Sequence, residues 1–268
     1  MKKTTLILFF SLILFSCEKD KEVIVENTGV SLLKSVVVAG VSSGEYTYNE
    51  ANLINEERSK YFYTKHNYND RNLLTSSEYY IDPGMYSSTW TVVEASMNRK
   101  EWVSPDNTEK SLIVTCEYDS NDQLSRMIYN RPSVTNSEYS EFTFENGRIS
   151  RRTMYWNTAL SSYIVYSYDV DGNLTKESRY HVPENGVPEL WTTTEYEYDT
   201  MKNPYQAFKR LMLPGKNTNP NNITKQTYTL YFEVDQRTER VSTIINTYEY
   251  NDSGYPVKVN GESEYQYK

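Results

Sequence analysis

YSYDVDGNLTKESRY, residues 166–180, supports two readings. Asp169, Asp171 and Asn173 around Gly172 have the look of a calcium loop. Tyr166 and Tyr168 before them and Leu174 after them look instead like two strands joined by a turn. An EF-hand loop needs helices on both flanks and a bidentate Glu at its twelfth position; that position is Tyr180, and both flanks are strand-like. Asp and Asn also suit tight turns, because they bond their own backbone and tolerate left-handed conformations. The turn is the preferred reading, with calcium at Asp169, Asp171 and Asn173 as the alternative.

The stretch is not alone. Aromatic, any residue, aromatic, then Asp or Asn recurs as YTYNEANL at 46, YEYNDSGY at 248 and, more loosely, YEYDTMKNPY at 196; relatives are HNYNDRNL at 66 and CEYDSNDQL at 116, with His66 and Cys116 replacing the first aromatic, and FTFENGRI at 142, with Glu145 replacing the Asp or Asn. In FTFENGRI, Asn146-Gly147 is the favoured pair for a two-residue type I′ turn, which sets Glu145 against Arg148 and Phe144 against Ile149. Pairing the second aromatic with the next apolar residue gives Tyr48 with Leu53, Tyr68 with Leu73 and Tyr250 with Tyr255, five apart; Tyr118 with Leu124 and Tyr168 with Leu174 are six apart, for a loop one residue longer. Aromatics two apart share a sheet face, and the residues between them (Thr47, Glu117, Thr143, Ser167, Glu197, Glu249) point away. Strict alternation after Leu174 puts Lys176, Ser178 and Tyr180 on its face and Thr175, Glu177, Arg179 and His181 on the other. Neither face is properly apolar. With 38% hydrophobic residues and 26 tyrosines, the expected fold is all-β: an antiparallel hairpin meander in a curved or self-wrapped sheet, with an aromatic core and one short helical insert. Tyr suits such a thin core, burying its ring while its hydroxyl finds a partner.

The insert is 202–222, KNPYQAFKRLMLPGKNTNPNN. Asn203 is a helix cap with Pro204 as first residue, and Pro214-Gly215 a stop; Phe208, Leu211 and Met212 then share a face. A plug over an open sheet end is the favoured role and a partner-binding element the alternative.

The series YNEANL, YDVDGNLTKE and YNDSGYPVKV resembles the YD repeats of Rhs-type proteins, and in particular the small Bacteroidetes lipoproteins that carry them. The resemblance covers roughly residues 33–268 and implies stacked β-hairpins. In large Rhs proteins such repeats form a shell around a toxin domain; with YQYK as a last strand, no cargo domain is expected here.

At the N-terminus, Lys2 and Lys3 precede an apolar run from Leu6 to Phe15 that ends in Ser16-Cys17. This is a secretion signal, too short to span a bilayer. Leu14, Phe15, Ser16 and Cys17 resemble a bacterial lipobox, which implies residues 1–16 as a signal peptide, acylation of Cys17 (palmitate-type chains), 17–30 as a tether and 31–268 as the repeat domain. Each buried methylene of an acyl chain contributes about 0.8 kcal/mol, so the expected partner is a membrane reached by a lipid anchor. Glu18 in place of Asp implies the outer membrane in such lipoproteins, and CEKDKE resembles a charged surface-export tag; the cell surface is favoured over the periplasmic face. Without Lys2 and Lys3 the charge is 26 basic against 36 acidic residues, or −10. A chain this acidic lacks the basic footprint of a nucleic-acid binder.

Nothing else suggests chemistry. Cys116 reads as a small buried hydrophobe. His66 and His181 are far apart, no ligand spacing suggests zinc, and no residue set calls for a cofactor. Trp156 and Trp191 fall, by strict alternation, on the face opposite Ile149 and opposite Tyr196 and Tyr198, both at the rim away from the Asp/Asn turns. With Phe208 they are the candidate ligand or partner contacts, unless a bulge returns them to the core. The expected function is a lipid-anchored, non-catalytic binding or structural module of the cell envelope, meeting a glycan or an envelope protein. The alternative is a surface glycan hydrolase using two carboxylates brought together across strands.

Overall fold

A computed structural model describes residues 31–82, 100–132, 134–184, 186–211, 213–215, 218–231 and 239–268. The expected signal peptide (1–16) and tether (17–30), with Cys17, and Met212 lie outside the described residues. The strands are β1 (Leu33–Val38), β2 (Val41–Tyr48), β3 (Ile54–Arg58), β4 (Phe62–Tyr68), β5 (Leu74–Ile81), β6 (Lys110–Tyr118), β7 (Leu124–Asn130), β8 (Glu138–Glu145), β9 (Arg148–Trp156), β10 (Ala159–Tyr168), β11 (Leu174–His181), β12 (Glu189–Tyr198), β13 (Ile223–Leu230), β14 (Arg240–Ile245), β15 (Tyr248–Tyr250), β16 (Pro256–Val259) and β17 (Ser263–Tyr267). From β2 to β14 each strand pairs antiparallel with the next, and β17 returns to pair with β1, so the meander wraps on itself. The ladder is not closed: β14 pairs with β13 and β15 with β16.

The turn reading of Asp169 holds, and its sisters share its geometry. Asp169 Oδ1 accepts from the N–H groups of Gly172 and Asn173, both at 2.8 Å, while Gly172 N–H donates to the Asp169 carbonyl and φ at Gly172 is +97°. Asn49, Asn69, Asp119 and Asn251 bond their own turns in the same way, with positive φ at Asn52, Asn72, Asp122 and Gly254. This is a type I turn followed by a left-handed residue, a standard hairpin loop for strands with right-handed twist. FTFENGRI alone uses Asn146-Gly147, with φ of 51° and 75°, and pairs Phe144 with Ile149 and Glu145 with Arg148, as read from sequence.

Register is read correctly from sequence at Tyr118 with Leu124 and Tyr168 with Leu174, and one residue short in three other hairpins. The partners of Tyr48, Tyr68 and Tyr250 are Ile54, Leu74 and Pro256, each one residue beyond the expected Leu53, Leu73 and Tyr255. The left-handed residue of the loop takes up the extra position. A second irregularity follows at once: in each of these hairpins the register shifts just before the second aromatic, leaving one residue of the return strand unpaired. That residue is Thr75, Ser125, Ser150 or Thr175 in four of them, and its hydroxyl donates to the carbonyl of Asn67, Glu117, Thr143 or Ser167 at 3.0–3.2 Å. One unpaired residue reverses the inward and outward order of everything beyond it. Leu174 therefore shares its face with Glu177 and Arg179, not with Lys176 and Ser178, since Tyr168 opposes Leu174 while Tyr166 opposes Glu177.

The apolar residues that close the turns form the floor of the core. Leu33, Ile54, Leu124 and Leu174 are 0% exposed, Leu74 3% and Ile149 4%. Full burial of such side chains is worth about 1.5–3 kcal/mol each. Above them, tyrosine hydroxyls join one hairpin to the one before. Tyr48 donates to Leu33 O, Tyr68 to Ile54 O, Tyr118 to Leu74 O, Tyr168 to Ile149 O, Tyr198 to Leu174 O, Tyr248 to Ile223 O and Tyr267 to Pro256 O, at 2.5–2.9 Å. Tyr267 opposes Leu33. The two ends of the chain thus build between them one more unit of the same kind.

The insert interrupts the sixth of these turns. Asp199 still accepts from the N–H groups of Met201 and Asn222, and Tyr198 opposes Ile223, so the hairpin closes around the excursion. The expected short helix is a 3₁₀ stretch, Gln206–Leu211, with Asn203 Oδ1 accepting from Tyr205 N–H. Runs of this length favour 3₁₀ geometry, in which residues three apart line up; that places Phe208 and Leu211 together. Tyr205 and Phe208 pack with Leu33, Ile54, Tyr46 and Tyr48, and Leu211 also reaches the cluster around Leu74, Leu124 and Leu174. The insert plugs the sheet end. Phe208, at 1% exposure, is core and not a partner contact.

Candidate binding face

The same bulges that reorder the inner face also build a second aromatic set outside. On β8 and β9, Phe144, Phe142, Ser140 and Glu138 oppose Ile149, Arg152, Met154 and Trp156, so these share the inner side. Tyr139 and Tyr155 therefore point outward, as does Tyr163, the neighbour of inward Ser162. Tyr139 stacks on Tyr155 and Tyr163 on Tyr180, each pair at 4.7 Å between ring centroids and within 15° of parallel. Each pair adds about 0.5–1.5 kcal/mol beyond burial. The Arg151 guanidinium lies 3.7 Å from the Tyr163 centroid and that of Arg126 5.0 Å from Tyr139. Tyr139 and Tyr163 are thus each flanked by an arginine on one neighbouring strand and a tyrosine on the other. Arg126 is held in turn by Glu141 at 2.8 Å and Glu117 at 3.7 Å. Leu160 and Val165, 38% and 37% exposed, oppose Tyr155 and Arg151 and extend the face.

The sequence candidates distribute differently from expectation. Trp156 lies on the same side as Ile149, not opposite it, because Ser150 is the unpaired residue; at the last position of β9 it stays 43% exposed. The connection beyond it is a tight turn at Asn157 and Thr158, both with positive φ. Trp191 is the unpaired residue where Arg179 opposes Thr192 and Tyr180 opposes Leu190. It packs on inner-side Arg179 and His181, not on an outer surface. The tyrosines of the outer face were missed; counting alternation from the Ser or Thr that follows each turn-closing Leu or Ile would have found them.

Three of the four carboxylates in one groove are engaged by the fold. Asp169, Asp171, Glu197 and Asp199 line an open groove of ≈ 660 Å³. Asp169 Oδ2 accepts from the Asn173 amide. Burial pushes its carboxyl up, but the hydrogen bonds from Asn173, Gly172 and Asp171 outweigh this and hold it below the usual range. Asp199 accepts from Asn222 and Tyr250, and Glu197 pairs with Lys225 at 2.7 Å. Inside the sheet, burial pushes the Glu177 carboxyl up against the opposing influence of the Tyr196 hydroxyl, Arg179 and Arg152. Ser77, His66 and Glu57 form a chain, Oγ to Nδ1 at 2.8 Å and Nε2 to Oε1 at 3.0 Å. With Ser77 and His66 each 3% exposed, it satisfies buried polar groups and presents no hydroxyl to a substrate. Cys116 is buried as expected, its thiol pushed up to about 12 by burial. Among the described residues no helix is long and apolar enough to cross a membrane.

No protein-family model and no curated protein matches the chain. Among solved structures, a porin-like protein from Bacteroides vulgatus ATCC 8482 is similar over 89% of this chain and 99% of its own, at 11% identity and a TM-score of 0.40. A porin-like protein from Bacteroides uniformis ATCC 8492 is similar over 88% and 96%, at 11% identity and a TM-score of 0.39. A DUF3836 family protein from Parabacteroides distasonis ATCC 8503 covers 41% of this chain and 91% of its own, at 14% identity and a TM-score of 0.28. Likeness at this level carries no argument about function.

Proposed function

We infer that this chain is a non-catalytic binding module of the cell envelope, held to the outer membrane by a lipid on Cys17, and that the outward tyrosine and arginine face of β8–β11 meets an envelope protein. The observation that carries the reading is the flanking of Tyr139 and Tyr163 by an arginine and a second tyrosine. Tyr139 and Tyr163, flanked by an arginine on one neighbouring strand and a tyrosine on the other, are less open to stacking on a sugar, which favours a protein over a glycan. Tyr and Arg beside exposed aliphatics are the residue types that dominate the energetics of protein interfaces. A photo-crosslinking residue at Leu160 in cells carrying the lipidated chain is expected to trap one envelope protein, and Arg151→Ala or Tyr180→Ala to abolish the trapping. Cys17→Ser is expected to release the chain from the membrane fraction. No crosslink at Leu160, with binding to a glycan array that is lost in Trp156→Ala, would replace the protein partner with a glycan; silence in both assays would end the reading.

A further inference from the structure

Besides the hairpin that carries the insert, the repeat departs from its pattern at β8 and β9, and a pocket lies there. Phe144 stands where the sister hairpins have tyrosine, and the Asn146-Gly147 turn is shorter than the Asp/Asn loops beside it. A cleft of ≈ 170 Å³ lies between this turn, the Gly172 turn and the end of the insert. A cavity of roughly 150 Å³ is enough to hold benzene. Phe144, Ile149, Tyr168 and Pro214 supply apolar walls, while Arg148, Lys209 and Thr218 supply the polar groups. Among the described residues no carboxylate lines it, in a chain with 36 acidic residues against 28 basic ones. Arg148 is positioned by its surroundings: its guanidinium lies 5.6 Å from the Tyr168 ring centroid and against Gly172, where an added Cβ would come within 2.5 Å of Nη2.

We propose that this cleft binds a small organic anion, a carboxylate on an aromatic body, with the ring between Phe144, Ile149 and Pro214 and the carboxylate on Arg148. Apolar walls take the ring by desolvation, and a planar guanidinium matches a carboxylate with two parallel hydrogen bonds. The site is independent of the outward face on β8–β11, so either can fail without the other.

The test titrates benzoate into the full-length mature protein, following the Ile149 methyl signals by NMR and the heat by calorimetry. Benzamide serves as a neutral probe of the same shape. Saturable benzoate shifts at Ile149 are expected, with affinity at least about tenfold weaker in Arg148→Gln and for benzamide, matching the worth of one charge-assisted hydrogen bond. Lys209→Gln, a second exposed position, is expected to weaken benzoate in the same direction, and denaturation midpoints of both variants report that the fold is intact. Absence of shifts at Ile149, equal binding of benzamide, or benzoate binding unchanged in Arg148→Gln would each overturn the proposal.

Discussion

Two residue types carry more of this fold than their volume suggests. A tyrosine hydroxyl donated to a backbone carbonyl of the preceding hairpin recurs at Tyr48, Tyr68, Tyr118, Tyr168 and Tyr198, which explains why these positions are Tyr where Phe would bury equally well. Tyr168→Phe should lose about 1 kcal/mol, since Ile149 O is left without its donor. Phe144→Tyr should gain a similar amount if the new hydroxyl reaches Leu124 O; urea midpoints of the two variants check both signs. The second type is the Asp or Asn that opens each turn. Asp169→Asn should be nearly neutral, because Asn49, Asn69 and Asn251 do the same work, whereas Asp169→Ala should cost about 1–2 kcal/mol for the unpaired N–H groups. Millimolar calcium should leave the melting temperature of the wild type unchanged, and a rise of several degrees would restore the calcium reading. At this scale the turn chemistry was legible, because the opening Asp or Asn of each loop bonds N–H groups two to four residues on; the bonds that leave the loops, from Asn173 to Asn221 and from Arg71 to Asp122, were not.

At the scale of the element, the hairpin and the insert behave differently. A hairpin here is a turn, a bulge and two strands; the turn and the antiparallel strands are legible in the sequence and the bulge is not. The bulge residues Thr75, Ser125, Ser150 and Thr175 are visible in sequence, but their effect is a register, which is a relation between two strands. Missing it inverted the faces of Trp156, Glu177 and Arg179. The insert is the short helical element that the sequence suggests, and only its 3₁₀ geometry was not legible: its short span closes against Leu33, Ile54 and Tyr46, and packing sets its geometry more than propensity does. Phe208→Ala should cost about 3–5 kcal/mol, the usual range for a fully buried aromatic. Limited proteolysis should then cut first within 202–222. Protection equal to wild type would mean that the plug is held by Asn203, Asn219 and Asn222 rather than by its aromatic anchor.

Across the whole molecule, tyrosine ionisation links stability to pH. Burial first, and neighbouring charges after it, raise the hydroxyl pKa of Tyr46, Tyr48, Tyr166 and Tyr196, and push Tyr79 up to about 12. In the unfolded chain these groups titrate near pH 10. The folded state binds their protons more tightly, so its stability is full below about pH 10 and is lost as pH rises above that value toward the folded ones. Tyrosinate absorbance and circular dichroism should therefore change together in one steep alkaline transition; absorbance rising near pH 10 with the sheet intact would refute it. The sequence alone determined an all-β hairpin meander with a tyrosine-lined core, since alternation and turn residues are local properties that each repeat states afresh. Only the tertiary structure decided which residues face inward, that β17 pairs with β1, and that a cleft lies at one irregular hairpin. Those outcomes depend on register and wrapping, which are fixed by contacts between strands far apart along the chain.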